Sequence, residues 1–220
     1  MASDHLPDEL KPFIQQLQPS SEPHKVSSQS FDPRRKSQIL PTSIFSQLIK
    51  RINSIFPDDG CTYVPSHQWR RKDASRNIAP INARFEPLNS FHADAQVTYS
   101  TYHTNPKNAF IQYCITSGEV GYGQIEQIFN HSRVTAGKRT LNDTWFVVNR
   151  LPPIPSNIRH PFSRLDKFQT QLELCLFTPQ GAEVIHISKI ISHCAWIIYS
   201  PEDISTALDN NYIALVSLDR

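Results

Sequence analysis

Hydrophobic and polar residues follow three different patterns along the 220 residues of this chain. Residues 1–40 hold five prolines and seven serines, and their apolar residues are scattered. Such a segment buries too little apolar surface to offset the entropy lost on ordering. We therefore predict a disordered tail over residues 1–40, followed by an amphipathic helix over 41–57 and by a β-rich region.

The helix is predicted from apolar residues that recur with a helical period. They would lie on one face: Ile44, Phe45, Leu48, Ile49, Ile52, Ile55 and Phe56. A stripe of this width buries itself against another surface. We expect it to dock on the following domain, with a separate partner as the alternative. Thr42 or Ser43 is expected to cap the helix, and Pro57 to end it.

Beyond residue 95 the period changes to two, and β-branched residues accumulate. About eight short strands are predicted, near residues 97–101, 109–115, 124–129, 144–148, 171–177, 183–187, 192–199 and 212–218. Gly118 to Gly123 is interpreted as a glycine-punctuated turn. Short strands separated by turn signals are typical of an antiparallel sandwich or barrel. The predicted fold class is all-β, with the β domain over residues 95–220.

Residues 58–94 are predicted to form an irregular basic segment. Between residues 41 and 110 the chain carries eight basic and five acidic side chains. A tryptophan beside three cations could stack on a base and neutralise phosphate. It could equally anchor a loop on the core. The candidate nucleic-acid-binding residues are Trp69, Arg70, Arg71, Lys72, Arg76 and Arg84.

Composition narrows the class of protein. The chain has 39% hydrophobic residues, 6 glycines, 17 prolines, and 22 basic against 20 acidic residues. These values exclude collagen, coiled coils and a wholly disordered chain, and the near-balanced charge argues against a dedicated DNA binder. The sequence contains no apolar run near the roughly 18 residues of a membrane span. It shows no secretory signal either, so we expect an intracellular protein, nuclear or cytoplasmic, with reduced cysteines and no membrane contact.

Catalytic motifs are missing from the sequence. It contains neither a P-loop, a dinucleotide-binding glycine motif, a G-x-S-x-G elbow nor an H-E-x-x-H pair. Cys175, His186, His193 and Cys194 raise a zinc hypothesis, but neighbouring strand residues such as His193 and Cys194 point to opposite faces. We expect Cys194 to be buried and His193 exposed. The prediction is a non-enzyme without metal or cofactor.

The order of strand motifs resembles a known family. A G-x-I-x-x-I strand over 123–128 is followed by an aromatic strand ending at Arg150, an E-L strand at 173–174 and a V-x-x-I-x-x-x-C-like strand before Cys194. This succession is similar to a bromo-adjacent homology (BAH) domain. Residues 95–220 resemble more closely the C-terminal β region of fungal transposon-encoded proteins of the Plavaka or Kyakuja-Dileera-Zisupton type.

The resemblance implies a non-catalytic module that binds chromatin or a transposase complex. Methyl-lysine readers of the BAH family use an aromatic cage, and the rings available for such a pocket are Tyr122, Trp145, Phe146, Trp196 and Tyr199. A histone tail, a transposase complex or DNA is the expected partner. The continuation after Arg150 departs from the chromatin-type pattern, and the chain has no room for a strand-transfer core. A functionless transposon remnant is therefore a further alternative.

Overall fold

The computed structural model describes residues 37–93, 97–116, 119–155, 160, 162, 172–204 and 210–218, with the side chains of 74–76, 116 and 204 excepted. The predicted disordered tail lies outside the described residues, apart from its last four positions. What the structure describes is mostly β-strand, as the sequence predicts, with one longer helix at its start.

The described residues contain thirteen strands, one long helix and one short helix, Pro201–Ile204. The helix α1 is Thr42–Ile55, and short 3₁₀ segments occur at Pro57–Asp59, Arg71–Arg76, Pro106–Asn108 and Ile187–Lys189. The strands are β1 (Gln38–Ile39), β2 (Thr62–Pro65), β3 (Ile78–Ile81), β4 (Arg84–Leu88), β5 (Ser90–His92), β6 (Thr98–Ser100), β7 (Phe110–Thr116), β8 (Glu119–Val134), β9 (Thr140–Leu151), β10 (Leu172–Leu176), β11 (Ala182–His186), β12 (Ile190–Tyr199) and β13 (Tyr212–Ser217).

Nine of these strands form one antiparallel sheet. Its order is β1-β4-β8-β7-β12-β13-β10, and β9 pairs with β8 on one side and β11 on the other. The long strand β8 thus pairs with β7 along its first half, with β4 along its second half and with β9 throughout. β2 and β3 form a small parallel sheet, and β5 and β6 form a hairpin. The large sheet keeps its edges and does not close into a barrel.

The β8–β9 hairpin is the central layer, and the core lies on both of its faces. Trp145 and Val147 of β9 face a cluster built with α1, Tyr63 and Ile81. Phe146, one residue on, faces the opposite cluster under the β5–β6 hairpin. Alternation with period two therefore places consecutive residues of β9 in two different cores.

Helix α1 docks in cis on the β domain, as expected. Phe45, Leu48, Ile49 and Ile52 are buried in the cluster shared with β9 and β11. The Gln47 side chain donates to the carbonyl of Ala182 at 3.0 Å and accepts from the Val184 amide at 3.1 Å. The helix therefore satisfies backbone groups along the β11 edge, which would otherwise offer unpaired groups to another chain.

Three expectations about local structure are wrong. Pro41 occupies the N-cap position of α1, and no side chain caps the helix there. Residues 58–94 are not irregular, because they contain β2 to β5, and β4 belongs to the large sheet. Gly121 and Gly123 are not in a turn but inside β8, where the side chains of Tyr113 and Ile115 cross them closely. Glycine is needed at these positions for space.

Candidate interaction surfaces and a buried ionic cluster

The densest group of charged side chains lies beneath the end of the β8–β9 hairpin. The Arg133 side chain is 3% exposed, and its Nε donates to Asp59 at 2.6 Å while Nη1 pairs with Asp143. The guanidinium carbon lies 3.7 Å from the ring centre of Phe56. Since both carboxylates and a ring face enclose this cation, Arg133 has no free surface for a ligand. We call Arg133, Asp59, Asp143 and Phe56 the ionic cluster. Its arrangement is that of a structural group of ion pairs.

Asp59 joins the ionic cluster to the small sheet. The Tyr63 hydroxyl donates to Asp59 Oδ2 at 2.8 Å, in addition to the bond from Arg133. Burial alone would raise the pKa of this carboxyl, but the hydrogen bonds from Arg133 and Tyr63 outweigh it and lower the pKa below its usual value. Burial, followed by the contacts of Tyr63 with Cys61 and Asp59, raises the pKa of Tyr63. Asp59 therefore stays ionised and Tyr63 protonated.

His186 borders the ionic cluster and stays neutral. Its ring packs edge-on against Phe56 and Trp145, and Nδ1 lies 2.8 Å from the Ser188 hydroxyl. Burial, followed by the charges of Arg133 and Lys189, lowers its pKa to about 4. Asp143 lies 4.0 Å away, but burial prevents the protonation that an ion pair would require. At neutral pH His186 therefore acts as an uncharged packing residue.

We expect the neutral state of His186 to make the protein sensitive to acid. The folded state holds the pKa near 4 against 6.5 for a free imidazole, so protons bind preferentially to the unfolded chain between these values. Stability should fall by about 2 kcal/mol between about pH 7.5 and pH 5 from this group. In urea unfolding at both pH values, His186→Asn should remove that difference. His103→Asn, at a ring that is largely exposed, should leave it unchanged; an equal effect of both substitutions would contradict the assignment.

The five rings predicted for an aromatic pocket do not come together at one site. Trp145 and Phe146 are fully buried on opposite faces of β9. Tyr122 and Trp196 pack against a third cluster, and Tyr199 against a fourth. Because these five rings belong to four separate clusters, they do not form a single cage. The physical reason is that aromatics on interior strands alternate between faces and serve as packing residues.

The basic side chains of the predicted basic segment that the structure describes are exposed, whereas Trp69 is half-buried. Its indole Nε1 donates to the Ile78 carbonyl at 2.9 Å, which anchors the loop on β3. Arg70, Arg71 and Lys72 are exposed at the start of the 3₁₀ segment, where Asp73 accepts from the Arg70 amide at 2.7 Å. The side chain of Arg76 lies outside the described residues. Arg84 is exposed at the start of β4.

The structure brings a second basic pair to the same end of the molecule. The β8–β9 turn carries exposed Lys138 and Arg139, and the amide of its Ala136 donates to the Asp59 carbonyl at 3.1 Å. Three residues after Asp59, the Thr62 amide donates to the carbonyl of Asn77, directly after the 3₁₀ segment. Both loops are thus hydrogen-bonded to residues 59–62. We call Arg70, Arg71, Lys72, Lys138 and Arg139 the basic end; sequence spacing gave no signal for this pairing.

Lys138 has the left-handed backbone conformation, with φ 57°. This conformation costs a residue with a Cβ about 1 kcal/mol or more relative to glycine. We expect Lys138→Gly to raise the free energy of unfolding by about 1 kcal/mol and to weaken polyanion binding at the same time. Urea unfolding checks the first effect, and Lys107→Gly serves as the comparison in a loop without positive φ. A loss of stability on Lys138→Gly would refute the argument.

Two cysteine thiols are buried in the core of the sheet. Burial raises the pKa of the Cys194 thiol to about 12 and also raises that of Cys175, so both thiols stay protonated. Cys194 is buried as expected, whereas His193 is half-buried, with Nε2 3.1 Å from the Asn108 carbonyl. Among the described residues no three His, Cys, Asp or Glu side chains are arranged to hold a metal ion. In the same part of the chain no helix is long and apolar enough to cross a membrane.

Comparison with known proteins adds no relative. No family model, no curated protein and no solved structure matches this chain.

Proposed function

We propose that the protein is a non-catalytic interaction module that binds nucleic acid through the basic end. The observation that supports this proposal is that two loops, distant in sequence, are both hydrogen-bonded to residues 59–62. Together the two loops carry five exposed cations. Phosphates of a nucleic-acid backbone are the anions that such a spaced set of arginines and lysines suits best.

The expected mode of binding is contact with the backbone and not with bases. Trp69 is half-buried and its indole N–H donates to the Ile78 carbonyl, which favours a loop anchor over a ring that stacks on a base. Phosphate contacts position a protein on nucleic acid but carry no sequence information. The exposed Asp58 lies close to this end and lowers its positive potential. We therefore expect moderate, sequence-independent affinity that falls with salt, with a slope of log K on log [salt] no steeper than about −4.5.

The test is binding of the full chain to a short DNA duplex across a salt series between roughly 50 and 200 mM. Arg71→Ala and Lys138→Ala should each reduce the salt slope by about 1 and weaken binding to all sequences alike. The double variant should show both reductions. Lys107→Ala, at an exposed lysine outside the basic end, should bind like the unmodified chain. If Arg71→Ala weakens binding and Lys138→Ala does not, the two loops do not form one surface.

A chromatin partner, which the resemblance implies, is compatible with the same surface. Nucleosomal DNA offers the phosphates that the basic end requires, whereas the five rings predicted for a methyl-lysine cage lie in four separate clusters. Binding to reconstituted nucleosomes should therefore persist when the histone tails are removed. Loss of binding on tail removal would instead support a protein partner, either a histone tail or, by extension, a subunit of a transposase complex.

A further inference from the structure

Strands β12 and β13 are apolar on both faces, which is unusual for the surface layer of an antiparallel sheet. One face buries Cys194, Ile213 and Leu215 in the cluster around Phe110 and Leu151. The register of β10, β13 and β12 places Leu172, Val216 and Ala195 side by side on the other face, with Ala214 beside Ile197. A solvated face normally alternates with polar residues, and a strand apolar on both faces is covered on both.

The described residues cover this second face in part. Leu174, Tyr212 and Ala214 are buried there, with Ile154 and Phe162 packed against them. Further along the strands this second face is exposed to solvent. Ile197 is 52% exposed, Leu218 is 46% exposed and Ala195 is also exposed. We call Leu172, Ala195, Ile197, Val216 and Leu218 the β12 face. All five residues are uncharged and apolar, so a segment that packs on the β12 face should itself be apolar.

We propose that residues 10–17 of this same chain dock on the β12 face. Leu10, Phe13, Ile14 and Leu17 follow the i, i+3, i+4, i+7 spacing of one helical face, in a segment otherwise made of polar residues and Pro12. In a helix that starts after Glu9, Pro12 would occupy the third helical position, where the backbone N–H has no intrahelical acceptor in any residue. The apolar stripe of such a helix matches the apolar β12 face in chemistry.

The chain between this segment and the fold is long enough for intramolecular docking. Residues 18–37 join Leu17 to β1 and span up to about 66 Å when extended. From β1 to β12 the sheet has four strand spacings, through β4, β8 and β7, which amount to about 19 Å. A tether of this kind supplies an effective concentration in the millimolar range. Docking within one chain therefore requires little intrinsic affinity.

Photo-crosslinking of the full chain tests the proposal. A benzophenone side chain in place of Phe13 should crosslink to peptides that contain Ile197, Val216 or Leu218, whereas the same probe at Val26 should not. Ile197→Asp should reduce the yield about tenfold, equivalent to about 1.4 kcal/mol of docking energy. Ile39→Asp is the matched control, because Ile39 is an isoleucine of the β1 edge that is 73% exposed.

Three results would overturn the proposal. These are crosslinks from position 13 to other surfaces, an equal effect of Ile197→Asp and Ile39→Asp, and crosslinks between light and isotopically heavy chains in a mixture. The last result would identify a second copy as the occupant. Nucleic acid is absent from this experiment, so its outcome is independent of the function proposed for the basic end.

Discussion

Replacing Arg133 by methionine is expected to lower the free energy of unfolding by about 3 kcal/mol, because it leaves two carboxylates without their partner in a largely buried site. Asp59 and Asp143 are 11% and 16% exposed, and Arg133 is the cation that both contact. Methionine fills a similar volume over Phe56, so the loss reports the charge and not a cavity. Urea unfolding at neutral pH measures it.

Two further variants separate charge from packing. Arg84→Met changes an exposed arginine in the same way and should alter stability by less than about 0.5 kcal/mol. Adding Asp59→Asn and Asp143→Asn to Arg133→Met should recover much of the loss, since replacing a whole buried ionic group is often near neutral. If the triple variant is less stable than Arg133→Met alone, repulsion between unpaired carboxylates is not the cause.

The ionic cluster also explains why the sequence predicts a strand that is too short. Period-two patterning predicts residues 124–129, where Ile125, Ile128 and Phe129 enter the cores. β8 continues to Val134 through polar residues that no hydrophobic pattern identifies. His131 and Arg133 are nonetheless buried, with His131 Nε2 2.8 Å from the Asn82 carbonyl and the two carboxylates paired with Arg133. Tertiary pairing of this kind is invisible to local periodicity.

Only part of the basic end can be predicted from local sequence. The cationic run at Arg70, Arg71 and Lys72 is visible in the sequence, and its exposure follows from its charge. Lys138 and Arg139 lie in a hairpin turn that the sequence does not predict, since it depends on the polar end of β8. Helix α1, by contrast, was predictable with its buried face, because its amphipathic stripe is encoded within fourteen residues.

Gly123→Ala is expected to destabilise the protein by about 3 kcal/mol, since a methyl group at this position meets atoms that cannot move. A Cβ on Gly123 would overlap the Cγ1 methyl of Val148 and stand 3.0 Å from the Asn149 carbonyl oxygen and 3.2 Å from Cε1 of Tyr113. Val148 and Tyr113 are fully buried in one core, and the carbonyl belongs to the paired strand. The hairpin would have to separate locally, and thermal or urea unfolding would register the loss.

Alanine substitutions at two other glycines test whether the loss of stability depends on the space around each position. A Cβ on Gly121 would stand 2.5 Å from Cδ1 of Ile115, the end of a half-buried chain that can rotate, so Gly121→Ala should cost about 1 kcal/mol. A Cβ on Gly137 in the hairpin turn has Thr135 Oγ1 at 3.8 Å as its nearest neighbour, and Gly137→Ala should be nearly neutral. Equal losses at all three positions would mean that strand propensity, and not the crossing of Tyr113 and Val148, decides the cost. The predicted order, with Gly123 far ahead, follows from close packing between the two central strands.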